Sequence, residues 1–203
     1  LIGHLLSAVN GASVSRGSSW LLDALEAQVL PESLSLIEEP DRPRVSGSRP
    51  FDAEGLPTKR REIVKDGKLL GWTLDLVSGR KLGMASTASA VRSPSSLPSP
   101  QVSNITLSHG EHSKKDLLSD MGTGLFVTSM IGSTINSNTG DYSRGASGHW
   151  VENGQIVYPV SECTIAGNLK DMLLRIIAAN DARQHFSMRV PSLLIEGMNI
   201  AGE

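Results

Sequence analysis

The sequence predicts an α+β fold dominated by antiparallel β-sheet, sandwich-like or barrel-like, with three or four helices. Two hairpin signals support this prediction, Asp66-Gly67 and Asn153-Gly154. Each stands between strand-like runs, and glycine accepts the positive φ that a tight hairpin turn requires. Several further strand patterns and three or four helical stripes accompany the hairpins. Together these elements are typical of an α+β domain.

The N-terminal half contributes two helices, one strand and the first hairpin. Residues 1–9 carry apolar side chains at helical spacing. Residues 20–30 are expected to form a second helix, which Pro31 ends. Residues 33–38 alternate like a strand, and residues 61–75 form the hairpin.

The C-terminal half contributes the second hairpin and two further helices. Ser113 is expected to cap a helix over 114–121, with Asp116 as the acid of a capping box, and Asn168 to cap a helix over 169–180. Three more segments are predicted to be strands: 104–108, the β-branched run 124–131 as a buried strand, and 192–201.

One segment is expected to stay mobile, the Ser- and Pro-rich stretch 85–103. It contains few large apolar side chains, so it cannot bury enough surface to offset the entropy of ordering. The remaining chain, 1–203, is interpreted as one domain, without an internal repeat.

Composition and charge argue against several classes of protein. The net charge is -2 and the basic residues are scattered, which does not favour nucleic-acid binding. The opening apolar run is too short to span a bilayer. The single cysteine, Cys163, fits a reducing compartment, so a cytoplasmic location is expected.

Two candidate chemical groups have a simpler structural interpretation. His109, Glu111 and His112 lack a metal-ligand spacing and are expected to lie in a solvated turn. Asp52 and Glu54 could act as acid and base, but acids two residues apart in a Gly- and Pro-rich loop more often form turns.

Two further motifs are also read as structural. Residues 121–124 (MGTG) resemble part of a phosphate loop but lack its full pattern, so a helix C-cap before a strand is preferred. Cys163 has no neighbouring histidine and is expected to be a small core residue.

The best candidate for a functional surface is the glycine-rich stretch 139–148. Its tentative ligand-contacting residues are Gly140, Asp141, Tyr142, Ser143, Arg144 and Gly145. The glycines would let another backbone approach closely, and the side chains supply charge and hydroxyl groups. A strand entry with a β-bulge remains an equal alternative.

Several motifs in order resemble one known family along nearly the whole chain. They are FDAEGLPTKRREIVKDGKLLGW, RKLGMAST, MGTGLFVT, TGDYSRGASGHWVENGQIVYPVSECTIAGNLKDM and MNIAGE. Together they resemble the C-terminal part of the TldD/PmbA family, also called modulators of DNA gyrase, and specifically its PmbA (TldE) branch. The family's N-terminal α/β domain would precede Leu1.

The resemblance implies a cytoplasmic proteolytic system of paired subunits. In that system the TldD-like subunit binds zinc through an HExxxH helix and a later cysteine, and the pair trims peptides and unfolded segments. Ungapped placement puts the three helix positions at Ile2, Gly3 and Ser7, and a shift by one puts them at Gly3, His4 and Ala8. The cysteine position falls at about Gly145.

No metal-binding and no catalytic residue is therefore assigned to this chain, and zinc is expected in the TldD-like partner. The favoured function is a non-catalytic subunit that binds peptide and pairs with that partner. Two alternatives stay open: a regulator that binds DNA gyrase or another protein, and an autonomous peptidase using Asp52 and Glu54 or Cys163. Self-association is a further expectation, because a surface built for a related subunit can pair with itself.

Overall fold

The computed structural model describes residues 1–202, so the final Glu of the MNIAGE motif, Glu203, lies outside the described residues. Its five helices are short: α1 (Ile2–Ala8), α2 (Gly11–Val14), α3 (Leu76–Leu82), α4 (Lys114–Met121) and α5 (Leu169–Leu174). The strands of the first half are β1 (Leu36–Glu38), β2 (Arg61–Lys65), β3 (Lys68–Leu69), β4 (Ala90–Val91), β5 (Ser99–Pro100) and β6 (Ile105–Leu107). Those of the second half are β7 (Gly124–Ile135), β8 (Asp141–Glu152), β9 (Gln155–Asn168), β10 (Ile176–Ala178), β11 (Met188–Arg189), β12 (Leu193–Ile195) and β13 (Asn199–Ala201).

The chain divides into two compact units. The first contains Leu1–Ser108 and Arg183–Val190. Its five-stranded sheet has the order β11-β6-β1-β2-β3, in which only the β11–β6 pair is parallel. A buried ion pair supports this sheet: Arg61 Nε lies 2.7 Å from Glu38 Oε2. The other Glu38 oxygen accepts the Ser103 N–H.

The second unit contains His109–Ala182 and the C-terminal segment from Pro191. Its main sheet is fully antiparallel, in the order β13-β9-β8-β7. A two-stranded sheet of β10 and β12 accompanies it. Within residues 1–202 no sheet closes into a barrel, so the predicted α+β class is confirmed, with five helices instead of three or four.

Most predicted turns and caps are confirmed. Asp66 and Gly67 have φ of 47° and 76° and connect β2 to β3. Asn153 and Gly154, with φ of 50° and 74°, connect β8 to β9. Ser113 and Asp116 form a capping box at α4, because each side chain accepts the other residue's backbone N–H. Gly122 is the C-cap of α4, so the interpretation of MGTG as a helix end followed by a strand is confirmed.

The predicted helix over 20–30 is wrong. The backbone turns repeatedly, and Glu26 has a φ of 63° that a right-handed helix cannot accommodate. The backbone N–H of Glu26 donates to Leu69, and those of Val29 and Leu30 donate to Gly67. Pairing with the β2–β3 hairpin therefore overrides the helical pattern.

Two other predictions are wrong in part. The helix that Asn168 caps ends at Leu174, and Ile176–Ala178 forms β10 because this β-branched run pairs with β12. The run 124–131 is a strand, but β7 is an edge strand rather than a buried one, and Ile131 is 70% exposed.

The Ser- and Pro-rich segment contains a short antiparallel pair of β4 and β5. Its mobility stays a prediction. The small helices α2 and α3 lie outside the predicted elements; α3 begins at a capping box of Asp75 and Ser78.

Candidate functional site

The glycine-rich candidate segment forms the first half of β8. This strand lies between β7 and β9, and both of its backbone edges are occupied: Gly145 pairs with Ile131 on one side and with Thr164 on the other. An extended peptide therefore cannot add to the edge of β8. A ligand of this segment has to contact a face of the sheet.

Gly140 forms the turn before β8. Its φ of 83° lies in the region that favours glycine. Its backbone N–H donates to Asn136 at 2.8 Å, and its carbonyl accepts the N–H of Leu169 at 2.8 Å. The conformational freedom of this glycine thus serves the turn and the start of α5.

Asp141 is also held by neighbouring residues. Its carboxylate accepts the Thr139 hydroxyl at 2.6 Å and the Asn168 side-chain amide at 3.1 Å. These two hydrogen bonds, the one from Thr139 first, lower the pKa of Asp141. The carboxylate ties the turn to the residue that caps α5.

Tyr142 is buried in the sheet, while Arg144 is half-buried. The Tyr142 hydroxyl lies 3.5 Å from Met130 Sδ. Burial raises the pKa of Tyr142, and the Arg144 guanidinium opposes this shift. Arg144 Nε donates to the Gly132 carbonyl at 2.6 Å. Ser143, between Tyr142 and Arg144 in the chain, is half-buried. Ser143, Arg144 and Gly145 remain the candidates for contact with a ligand.

The two glycines of β8 differ in the space around them. A Cβ at Gly145 would lie 3.5 Å from the Ile131 carbonyl oxygen, an ordinary contact. A Cβ at Gly148 would lie 2.0 Å from the Phe126 carbonyl oxygen, so β7 would have to move. Gly148 is therefore required by strand packing, whereas Gly145 has room for a side chain.

The α1 positions that the resemblance aligns with the HExxxH motif do not offer the set of ligands that zinc needs. In one register Ile2 is 2% exposed in the core, Gly3 has no side chain and the Ser7 hydroxyl donates to the Gly3 carbonyl. In the other register the three positions are Gly3, which has no side chain, His4, and Ala8, which is buried and apolar. Zinc in peptidases is held by three protein ligands that include histidine or carboxylate. The residues of α1 do not fit this ion.

Cys163 also belongs to the core, as predicted. It lies on β9 opposite Ala146, is 3% exposed, and its thiol donates to the Ala146 carbonyl at 3.1 Å. A thiol engaged in this way and shielded from solvent is neither an available nucleophile nor an available ligand.

The acid pair of the first unit forms turns, as the structural interpretation predicts. Asp52 is 3% exposed and accepts three backbone N–H groups, from Glu54, Leu56 and Ala90, at 2.9 to 3.0 Å. Glu54 accepts the backbone N–H of Leu76, the first residue of α3.

The histidine cluster lies in an exposed turn before α4, as predicted. His109, Glu111 and His112 are all exposed to solvent. Among residues 1–202, no group of three or more His, Cys, Asp or Glu side chains lies close enough to hold a metal ion. No helix in the same range has the length and apolar character needed to cross a bilayer.

One surface feature was missed by sequence reasoning. Ile156, Val157 and Tyr158 are consecutive on β9 and each is about half exposed, at 50%, 53% and 48%. The ladder pairs Val151 with Ile156 and Trp150 with Tyr158, so Val157 is an extra residue at a bulge. The apolar run IVY was visible in the sequence, but its exposure depends on this bulge.

The fold is an α+β domain whose largest sheet within the second unit is antiparallel. Residues 1–202 match the family described as PmbA/TldA metallopeptidase C-terminal domain. The chain belongs to the PmbA/TldD family.

Individual relatives agree with this assignment. The chain is 46% identical to Metalloprotease PmbA of Escherichia coli O157:H7 over 204 residues, which is 100% of this chain and 43% of that protein. A solved structure from Bacteroides thetaiotaomicron VPI-5482, named as a modulator of DNA gyrase, superposes with a TM-score of 0.88 at 32% identity over 100% of this chain and 44% of that one. TldE from Thermococcus kodakarensis shares the fold, with a TM-score of 0.86 at 21% identity over 98% of this chain and 46% of that one. The chain thus spans less than half the length of the curated relatives it matches.

Proposed function

We propose that this chain is the C-terminal domain of a non-catalytic, PmbA/TldE-like subunit in a heteromeric zinc metallopeptidase that degrades or processes peptides and unfolded segments. The observation that supports this proposal most strongly is the composition of α1. At the positions that correspond to the HExxxH motif stand Ile2, Gly3 and Ser7, or Gly3, His4 and Ala8 in the shifted register.

The chemical reason is the number of ligands that zinc needs. A catalytic zinc site holds the ion with three protein ligands and keeps one position open for water or substrate. A buried isoleucine and a glycine supply none of these ligands. Gly145 stands at about the position of the later cysteine. The partner subunit would supply the ion and the polarised water; this chain would supply peptide contacts and assembly.

The contribution to peptide binding would come from the sheet of the second unit. Within this sheet β8 is fully paired, so the candidates for contact are Ser143, Arg144 and Gly145 on its faces. A peptide on this face would be held by contacts with side chains, because the main-chain groups of β8 already pair with β7 and β9. A Cβ at Gly145 would make only ordinary contacts, and a β-branched side chain there would obstruct such a face.

Reconstitution tests this proposal. The full-length protein and a TldD-like subunit are purified separately, and hydrolysis of an unstructured peptide is measured for each and for the mixture. We expect no hydrolysis by this protein alone and hydrolysis by the mixture that is lost when the HExxxH motif of the TldD-like subunit is mutated. Hydrolysis by this protein alone at the rate of the mixture would refute the proposal, because the chemistry would then reside here.

A second candidate function is regulation of DNA gyrase, which is favoured by the name of the Bacteroides relative. It predicts a stable complex with gyrase and altered supercoiling without any peptidase partner. An autonomous peptidase is less well supported, since Asp52 and Cys163 are engaged by backbone groups. A cytoplasmic location and self-association stay predictions.

A further inference from the structure

The outer edge of β9 is open along half of its length. β9 pairs with β8 along Gln155–Asn168, but β13 covers it only at Thr164–Ala166. In the described part of the chain no strand pairs with the outer edge over 155–162. Unpaired main-chain groups at such an edge are a template for another extended chain.

Apolar side chains and carboxylates coincide at this open edge. The half-exposed Ile156, Val157 and Tyr158 lie within it, and two exposed acids bracket them. Glu152 stands opposite Gln155 at one end, and Glu162 lies at the other. β9 carries two bulge residues in this range, so it runs beside only Glu152 to about Ser147 of β8. At about 3.3 Å per residue, the two ends are roughly 17 Å apart, the length of an extended segment of about five residues.

The second unit as a whole is negatively charged, like the two carboxylates at the open edge. Its described residues include five Lys and Arg against nine Asp and Glu, a formal charge of -4. The four-stranded sheet itself carries Asp141, Glu152 and Glu162 against a single cation, Arg144. A ligand that complements this surface is therefore cationic.

The size of the apolar surface distinguishes a peptide from a subunit. Three half-exposed side chains present on the order of 300 Å² of apolar surface. A stable subunit interface buries roughly 800 Å² on each partner. In the part of the chain that the structure describes, three other large apolar side chains of this sheet are exposed: Met130, Ile131 and Ile200. Met130 and Ile131 lie opposite Ala146 and Gly145, far along β8 from Val151, and Ile200 lies opposite Ile165, beyond Glu162 on β9. The open edge is thus sized for a short segment.

We infer that this edge, Glu152 to Glu162, binds an extended, net-cationic peptide with apolar residues at its centre; the inference rests on the proposed function and names its substrate class. Backbone pairing is available over Gln155–Tyr158, because Pro159 has no N–H to donate. Side-chain contacts and the two carboxylates supply the remaining affinity. Binding is accordingly tolerant of sequence and sensitive to charge.

The test measures peptide affinity, without reference to hydrolysis. Two fluorescent peptides of about eight residues are used, both with alternating Val and Thr at the centre. One has Lys at both ends and the other has Glu. Fluorescence anisotropy gives the dissociation constants with the full-length protein. We expect the Lys peptide to bind at least roughly tenfold more tightly than the Glu peptide, with the difference shrinking as salt is raised.

Matched variants then locate the site. Glu152→Lys with Glu162→Lys changes the protein charge by the same amount as Glu111→Lys with Glu196→Lys, two exposed acids elsewhere in the unit. We expect the first pair to weaken binding of the Lys peptide at least roughly tenfold and the second pair less than about threefold. Tyr158→Ser should weaken it, whereas Ile131→Ser, the exposed apolar control on β7, should not.

Three outcomes would overturn the inference. Equal effects of the two charge pairs would mean that only net charge matters. Unchanged affinity in all variants, or no binding of the Lys peptide, would place peptide contacts elsewhere. If the variants at the open edge no longer co-elute with the TldD-like subunit in size-exclusion chromatography, while their peptide affinity is unchanged, the edge is a subunit contact. Failure of the proposed function is recognised separately: the mixture in the reconstitution assay would then be no more active than the TldD-like subunit alone, whatever the peptide affinities.

Discussion

At the level of single residues, several side chains that look catalytic hold the backbone in place. Asp52 is the clearest case, because one buried carboxylate accepts the N–H groups of Glu54, Leu56 and Ala90. The loop from Phe51 to Pro57 and the strand β4 are thereby fixed to each other. Buried acceptors of this kind are costly to remove, since the donors that remain cannot reach water.

Replacing Asp52 with alanine is therefore expected to lower the free energy of unfolding by about 3 kcal/mol. Three N–H groups lose their acceptor in this variant; that of Ala90 is buried, and those of Glu54 and Leu56 are partly buried. Asp52→Asn retains one side-chain oxygen and should cost about half as much. Urea unfolding followed by circular dichroism measures both. An alanine variant as stable as the wild type would show that the three hydrogen bonds do not contribute.

A second residue-scale prediction concerns the pKa of Asp141. Thr139→Val removes the larger of the two hydrogen bonds that lower it, so this pKa should rise towards the ordinary value of about 3.9. Because the folded-state pKa is below the unfolded value, the contribution of Asp141 to stability is present above about pH 4 and is lost as pH falls through the folded-state pKa. NMR titration of the carboxyl carbon checks the shift. An Asp141 pKa that does not change in Thr139→Val would contradict the assigned cause.

At the level of elements, the sequence patterns failed where backbone pairing with a distant strand overrides the local helical propensity. The run WLLDALEAQVL has helical spacing, yet its backbone donors reach Leu69 and Gly67 of the β2–β3 hairpin. Residues 176–178 continue a helical stripe but pair with β12. By contrast, Asp66-Gly67, Asn153-Gly154 and the Ser113–Asp116 box were predictable, because their geometry depends only on local residues.

The candidate site was predictable in its location but not in its environment. The glycines of β8 were visible in the sequence, whereas the central position of that strand depends on which strands pair on either side. The bulges lie on β7 and β9, not on β8. The exposure of Ile156 to Tyr158 likewise follows from the register shift at Val157 and from the short reach of β13. No local pattern encodes either fact.

Two glycines in β8 give a matched prediction at this scale. Gly148→Ala is expected to lower the free energy of unfolding by about 3 kcal/mol, because the new Cβ would overlap the Phe126 carbonyl. Gly145→Ala places its Cβ at an ordinary distance from Ile131 and should change stability by less than about 1 kcal/mol. Chemical unfolding of the two variants gives the comparison. Equal stability losses would mean that the packing of β7 on β8 differs from the one described.

At the level of the whole molecule, the two units differ in charge as well as in fold. The described second unit has a formal charge of -4, while the first has fourteen Lys and Arg against eleven Asp and Glu. The near-neutral total of -2 conceals this difference. The acidic unit contains the sheet in which, among the described residues, the outer edge of β9 is unpaired over 155–162, so charge and topology favour the same class of ligand.

The central claim is that this chain keeps the family scaffold without a zinc site of its own. The most direct test is the metal content of the full-length protein purified without its partner, measured by native mass spectrometry and elemental analysis. The expected result is well below one zinc ion per chain, unchanged in the variants His4→Ala and Cys163→Ala. One tightly bound zinc ion per chain that is lost in either variant would contradict the claim.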